Sequence, residues 1–329
     1  MQTTDTSVNS DRLTSAAIKA AAHDFGFDAC GIAPADDFPE LKFFRDWLAR
    51  GYAGDMTYLH RSAERRADVR AVLPAARSVI VTATNYHTNR PYSTEVADPY
   101  RAQIARYAWG DDYHDVIGGR LGRLLAWMRE QSPEPFEARA YVDTGPVQER
   151  VYAQYAGVGW IGKNTCVIHP HLGSWIFLAE IICSLPLDAD APALDQCGTC
   201  TLCLDECPTH ALTAPGVLDA TACISYLTIE HRGDIAGDLR PTLGAHVYGC
   251  DICQEVCPWN AVAPRSEDPA WQPRPVWDAA DVRSLAGRSD DELAEAVKGS
   301  AMRRAKVQGL RRNIAIALSN AQRTTENRG

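Results

Sequence analysis

No stretch of this 329-residue chain reads as a membrane span. The longest apolar candidate, near "SWIFLAEIICSLPL", is too short and carries Glu180. The opening "MQTTDTSVNSDRLTSAAIKAAAHDF" lacks the basic start and apolar run of a secretory signal, and it carries no twin-arginine signal. There is no internal repeat and no low-complexity tract. Positive charge is also short: a net charge of −9 argues against a generally basic nucleic-acid binder, while leaving room for a local basic patch. These absences point to a reducing cytoplasm. In that setting the eleven cysteines present are expected to ligate metal rather than form disulfides.

Hydrophobic residues at 46% and charged residues at 23% are ordinary globular usage, and the length suggests roughly two domains of about 150 residues each. The first 190 or so residues read as mixed α and β. "SDRLTSAAIKAAAHDFG" is a helix with Ser10 or Asp11 as cap and Gly26 as stop, and "FPELKFFRDWLARG" is an amphipathic helix closed by Gly51. "FDACGIAPA" and "RSVIVTATNY" are buried strands. "YHDVIGGRLGRLLAWMREQ" is a long helix despite its glycines, and "EARAYVDTGP" is a strand leaving Asp143 at its carboxyl end. After the helix "VQERVYAQYAG", "NTCVIHP" and "SWIFLAEIICSLPL" form an expected β pair. "SEDPAWQPRPVWDAAD" is a proline-broken linker, and residues 289–325 read as two or three helices.

The cysteines carry the strongest signal. "CGTCTLCLDECP" sets Cys197, Cys200, Cys203 and Cys207 in the C-x2-C-x2-C-x3-C-P spacing of an iron–sulfur protein. Cys223 follows, then "YGCDICQEVCPWN" with Cys250, Cys253 and Cys257 and a second Cys-Pro. In two-cluster ferredoxins the last cysteine of each run ligates the other cluster. Crossing assigns Cys197, Cys200, Cys203 and Cys257 to cluster one, and Cys207, Cys223, Cys250 and Cys253 to cluster two. The second set departs from the usual run by a long insertion between Cys223 and Cys250. A zinc ribbon built on C-x2-C knuckles is the alternative, and the two Cys-Pro endings speak against it. Cys30, Cys166 and Cys183 stand alone and are read as packing residues.

Two other motifs are near-matches. "GVGWIGKN" approaches the phosphate loop G-x4-G-K-[ST], but Asn164 stands where a hydroxyl should hold magnesium, and the loop follows a helix rather than a strand. "DDYHDVIG" approaches a cobalamin-ligating D-x-H-x-x-G signature, yet counting from Asp112 through His114 puts Ile117 where glycine belongs. His114 is therefore a weak candidate for an axial metal ligand and is expected instead to cap or pack the following helix.

Taken together, "YVDTGPVQER", "AGVGWIGKNT", "GSWIFLAEI", the split cysteines, "CISYLTIEHRG" and "YGCDICQEVCPWN" resemble the epoxyqueuosine reductases, tRNA-modifying enzymes related to the corrinoid reductive dehalogenases. The likeness runs from "FDACGIA" to "GLRRNIAIALSN"; fuller members carry a longer helical-repeat tail. It implies an α+β chain with three parts: a mixed α/β cobalamin-binding domain over residues 1–184 (nitroreductase-like in the related dehalogenases), a two-cluster ferredoxin-like domain over 185–265, and a linker with a short helical region over 266–329. It implies two 4Fe-4S clusters, cobalamin, an external low-potential electron donor and a monomer. The reaction implied is two-electron removal of the epoxide oxygen of epoxyqueuosine in the tRNA anticodon, giving queuosine. Asp143 matches the family's catalytic aspartate, and a proton donor for this chemistry is expected to have its pKa raised by burial. By the same resemblance Arg66, Asp143, Val167, Leu178, Ser225, Asp251 and Ile252 would contact cobalamin, with cluster two facing cobalt. Arg106, Gln148, Glu149, Arg150, His231, Arg232 and Gly233 would face tRNA.

The stretch "MRRAKVQGLRRN" adds a basic patch of Arg303, Arg304, Lys306, Arg311 and Arg312, where Arg304 and Arg311 would share a helix face seven residues apart. Two other functions use the same features. A reductive dehalogenase shares the cofactors but is typically exported, and a ferredoxin-type carrier leaves the first 190 or so residues idle.

Overall fold

A computed structural model describes residues 13–327. At its centre is a four-stranded antiparallel sheet in the order Ala29–Pro34, Ser78–Asn85, Ile176–Cys183, Ala138–Tyr141. The Ser78–Asn85 strand is buried at every position, and its Ser78 and Thr82 hydroxyls donate to the Leu185 and Ala179 carbonyls. On one face Phe177, Ala179, Ile181 and Ile80 pack with Ile117, Leu121, Leu124 and Met128 of the Tyr113–Gln131 helix and with Ile18 and Ala22 of the Ser15–Asp24 helix. The glycines of the longer helix, Gly118, Gly119 and Gly122, face open space, so they do not disturb this contact. On the other face Val79, Val81 and Ile182 pack with Val151, Tyr152 and Ala153 of the Glu149–Tyr155 helix. Gly31 permits that approach: a Cβ there would lie 1.9 Å from the Ala156 carbonyl oxygen.

Several expectations need correction. Thr14, not Ser10 or Asp11, caps the first helix by accepting from the Ala17 amide; Ser10 and Asp11 lie outside the described residues. The Val167–Ile168 strand does not pair with Ile176–Cys183 but with Trp160–Ile161 in a small hairpin. The longer strand, apolar on both faces apart from Glu180, instead takes a central place between two neighbours. The expected linker is packed structure. Trp271 and Trp277 are buried in the main core, and Gly110 lies so close to the Ala270 carbonyl that no side chain would fit.

The cysteine-rich region holds two short helical turns, Leu202–Asp205 and Ile252–Glu255, packed on each other. The Lys306–Glu326 helix lies across the His246–Tyr248 strand, the Val282–Ala286 helix and the Ile224–Ile229 helix. Its buried Asn313 donates to the Thr228 and Val247 carbonyls at 2.8 and 2.9 Å. His246–Tyr248 in turn pairs with Gln103–Ile104, and one core cluster contains both Leu13 and Ala317. Among the described residues no helix is long and apolar enough to cross a membrane.

Candidate active site and cluster-binding region

Asp143 lies just beyond the Ala138–Tyr141 strand with a left-handed φ of +58°, uncommon for a residue with a side chain. Gly145, against the Tyr141 ring, completes the turn. The Asp143 side chain is 61% accessible although protein closes around it on several sides, as expected of a group lining an open cleft. Its Oδ2 accepts from Tyr113 Oη at 2.8 Å and lies 3.6 Å from His114 Nε2, an ion-pair separation. His114 Nδ1 is 2.7 Å from Asp112 Oδ1, so both ring nitrogens meet a carboxylate, an arrangement suited to an imidazolium donating at each end. Asp112 also caps the Tyr113–Gln131 helix, while Tyr113 stacks on Phe177 at 4.6 Å between ring centroids.

Burial disfavours the charge on His114, but Asp112 and Asp143 outweigh it and push the imidazole up to about 9. Burial likewise tends to raise Asp143, yet His114 and then Tyr113 hold it below the usual carboxylate range. The expectation of a raised Asp143 is thus reversed in the protein alone: near neutral pH the proton resides on His114 and the aspartate is ionised. The sequence placed His114 as a helix cap or packing residue, with an axial metal ligand as the weaker candidate role, and passed over Tyr113. The signal was their position directly after the Asp112 cap, which starts a helix with two polar side chains turned toward the same strand end.

Behind Asp143 stand two further carboxyls. Glu149 begins its helix, half-buried, and is pushed up to about 8 by burial and then by Asp143. Glu180 is wholly buried on the central strand. Arg66 lies close enough to Glu149, Asp143 and Glu180 to feel all three; its guanidinium donates to the Val147 carbonyl at 2.7 Å. Of the other expected cobalamin contacts, Val167 and Leu178 belong to one apolar cluster. Ser225, Asp251 and Ile252 gather near Cys250: Ser225 Oγ donates to the Cys250 carbonyl at 3.4 Å, and Ile252 opens the next helical turn. Asp251 is buried, accepts from the Arg106 amide at 2.6 Å, and is pushed up to about 7 by burial and by Glu255. An apolar wall edged by a guanidinium, a hydroxyl and a carboxyl suits a corrin, whose flat ring is apolar and whose rim carries amides. His114, held between two aspartates, is not available as an axial ligand.

Cys197, Cys200, Cys203 and Cys257 line one small pocket together with Lys163, Ile168 and Trp259. Burial and then Cys257, Cys197 and Cys200 push the Cys203 thiol up to about 11. Cys207, by contrast, neighbours Cys223, which neighbours Cys250 and Cys253. Crowded, desolvated thiols resist ionisation by themselves, whereas iron would supply the missing positive charge. Among the described residues no three such side chains close on a single-ion site; a four-iron cube spreads its ligands over four corners. Lys163, of the phosphate-loop near-match, donates to the Gly198 and Cys200 carbonyls at 2.7 and 2.8 Å, and Asn164 donates to the Cys253 carbonyl at 3.1 Å. That loop therefore braces both cysteine runs. Cys166, expected only to pack, has its thiol against Cys253. Cys30 and Cys183 lie in the sheet.

The basic residues divide. Arg106 does not face a ligand surface: it is 2% exposed, and its guanidinium donates to the Thr88, Arg90 and Pro91 carbonyls over the Trp109 ring. Gln148 is also spent internally, on the Leu41 and Arg66 carbonyls. Arg150 is exposed, holding the Thr165 carbonyl. In the "HRG" loop His231 pairs with Asp55, Arg232 donates to the Arg304 and Ala305 carbonyls, and Gly233 accepts from Arg312. Arg312 is therefore a loop anchor. The shared helix face expected for Arg304 and Arg311 does not exist, because the helix begins at Lys306 and Arg304 sits in the preceding 3-10 turn. Arg304 pairs with Glu230 and overlies the Tyr58 ring, while Arg311 pairs with Asp290. Arg304 is nonetheless near enough to Asp143, and Arg303 to Asp112, to place positive charge at the cleft. Lys306 is exposed beside them in sequence.

Residues 66–144 match the family described as "Epoxyqueuosine reductase QueG, DUF1730", and residues 196–260 match a 4Fe-4S double cluster binding domain. The solved structure of an epoxyqueuosine reductase with an epoxyqueuosine-modified tRNA-Tyr stem loop superposes with a TM-score of 0.84 at 31% identity, covering 94% of this chain and 81% of that one. A Bacillus subtilis epoxyqueuosine reductase, solved with its catalytic aspartate loop swung out of the active site, has a TM-score of 0.82 at 29% identity over 94% of this chain and 82% of its own. The Vibrio cholerae epoxyqueuosine reductase is 39% identical over 92% of this chain and 82% of its own length. The Gloeobacter violaceus epoxyqueuosine reductase is 45% identical, across 93% of this chain and 96% of its own. With an aspartate site beside paired cysteine sets and relatives this similar along nearly its whole length, the chain belongs to the epoxyqueuosine reductase family.

Proposed function

We propose that this protein reduces epoxyqueuosine in a tRNA anticodon stem-loop to queuosine, the last step of queuosine formation. Residues 1–184 hold cobalamin, 185–265 carry two 4Fe-4S clusters, and 266–329 buttress both. The observation carrying this reading is Asp143, poised on a strand-end turn between Tyr113 and His114 in an open cleft. Cobalamin bound there supplies a low-valent cobalt centre able to cleave a carbon–oxygen bond, chemistry no side chain provides. Arg66, Val167, Leu178, Ser225, Asp251 and Ile252 would hold it. The two crossed cysteine sets would hold clusters that supply electrons singly from an external low-potential donor, the Cys207–Cys223–Cys250–Cys253 set being the one toward the cofactor. Asp143, ionised at rest, takes a proton from His114 and delivers it to the departing oxygen. The protein works as a cytoplasmic monomer.

Nucleoside analysis of tRNA bearing epoxyqueuosine, after anaerobic incubation with protein, cobalamin and a strong reductant, tests the reading. Conversion to queuosine is expected, and unchanged epoxyqueuosine would reject it. Dehalogenation of a halophenol without action on tRNA would favour the dehalogenase-type alternative, and an unperturbed cobalt spectrum would favour a simple carrier.

Exposed cations at the cleft, Arg150, Arg303, Arg304 and Lys306, would meet tRNA phosphates. Because Arg304 and Arg311 occupy different surfaces, their variants should behave differently. Arg304→Gln should weaken tRNA binding and flatten the log–log salt slope by about one contact, roughly 0.7 to 0.9. Arg311→Gln should leave both unchanged. Equal effects from the two variants in a salt-titrated binding assay would show that both surfaces meet the tRNA and overturn this division.

A further inference from the structure

Removing an epoxide oxygen as water consumes two electrons and two protons: both carbon–oxygen bonds break, one carbon–carbon double bond forms, and two oxygen–hydrogen bonds form. An external one-electron donor, acting twice through the clusters, supplies the electrons. Asp143 carries one proton at a time, so the second must reach it within the same turnover. This inference rests on the reaction proposed above.

We infer that Glu180, acting with Glu149, is an internal acid that supplies the second proton through Asp143. Glu180 is 0% exposed, and neither carboxyl oxygen has a hydrogen-bond partner. On the sheet it stands in register with Tyr141, which precedes Asp143 by two residues, and it shares a strand face with Leu178. The Glu149–Tyr155 helix packs on this strand, with Glu149 in its first turn. The charged groups facing Glu180 are Glu149, Asp143 and Arg66; those facing Glu149 are Glu180, Asp143, Arg150, Arg66 and His114. Arg66 is the one cation facing Glu180, and Asp143 and Glu149 share it, while His114 and Arg150 face Glu149 but not Glu180; the wholly buried Glu180 therefore holds its proton. Burial first, then Glu149 and Asp143, keep Glu180 well above the ordinary carboxyl range. A buried carboxyl serving only to fix Arg66 would be ionised and hydrogen-bonded to it.

Two measurements test this. Infrared spectroscopy of the protein as purified, stepped from pH 6 to pH 9, should show a protonated-carboxyl stretch that is absent in Glu180→Gln, and Glu149→Gln should shift the pH at which the remaining band titrates. In turnover with tRNA substrate, Glu180→Gln should lower kcat by about tenfold or more with KM unchanged and should move the alkaline limb of the pH profile to lower pH. Loss of the infrared band with unaltered kcat and pH profile would show the acid is not used. Persistence of the full band in Glu180→Gln would show that Glu180 is ionised, overturning the inference. Should Glu180→Gln fold poorly, Glu149→Gln carries the same kinetic expectation, and a wild-type pH profile there overturns the inference equally. Wild-type protein that shows the band but makes no queuosine would overturn the reaction assigned, and the acid's part in it, while identifying the failed premise.

Discussion

Asp143→Asn should keep the fold, both clusters and cobalamin binding, yet lose turnover by at least about a hundredfold. The amide preserves the shape of the side chain and can still meet Tyr113, but it cannot carry the proton that general acid catalysis requires. It also removes one of the two carboxylates facing His114, so the His114 pKa should fall from about 9 toward the ordinary imidazole value, visible by proton NMR. The sign of the pH effect follows. A histidine with a raised pKa contributes stability that is fully present below its unfolded value of about 6.5 and is lost as pH rises through about 9. Wild-type protein should therefore lose stability across that alkaline window, and the variant should lose less. Near-normal turnover in Asp143→Asn would assign the proton to another group.

Cysteine variants should abolish turnover outright and reveal the ligation pattern. If the sets are crossed, Cys257→Ala destroys the cluster shared with Cys197, Cys200 and Cys203, although Cys257 belongs to the second run; Cys207→Ala destroys the other. Iron should fall from about eight atoms per chain to about four in each case, with electron paramagnetic resonance distinguishing which cluster remains. The pocket lined by Cys257 and the first three cysteines supports this expectation. Loss of the same cluster in both variants would falsify the crossing. Lys163 lies on the backbone of only the first loop, so the surviving spectrum in Cys257→Ala should come from the set without that lysine.

Much of this was legible along the chain because it depends on local spacing. The cysteine runs, with their prolines, are chemical motifs confined to a few turns of backbone. The amphipathic helices announce themselves by periodicity, the buried strands by short runs rich in β-branched residues, and Asp143 by its position after a strand. Strand pairing was less legible: Ile176–Cys183 has no local feature selecting Ser78–Asn85 and Ala138–Tyr141 over the nearer Val167–Ile168, since partners are chosen by burial on both faces. The linker was misread for a related reason, as prolines are visible locally but the pocket that receives Trp271 and Trp277 is not.

By itself, then, the sequence determined the iron–sulfur ligand types, the α+β class and the candidate aspartate. Only the tertiary structure decided that Asp143 is held ionised by His114, that Arg106 is an interior clamp rather than a surface cation, and that Arg304 and Arg311 part company. It also set Glu180 without a partner behind the cleft. Charge state, exposure and ion pairing depend on residues far apart in the chain, because electrostatic energies are set by distance and desolvation in space rather than by separation along the backbone.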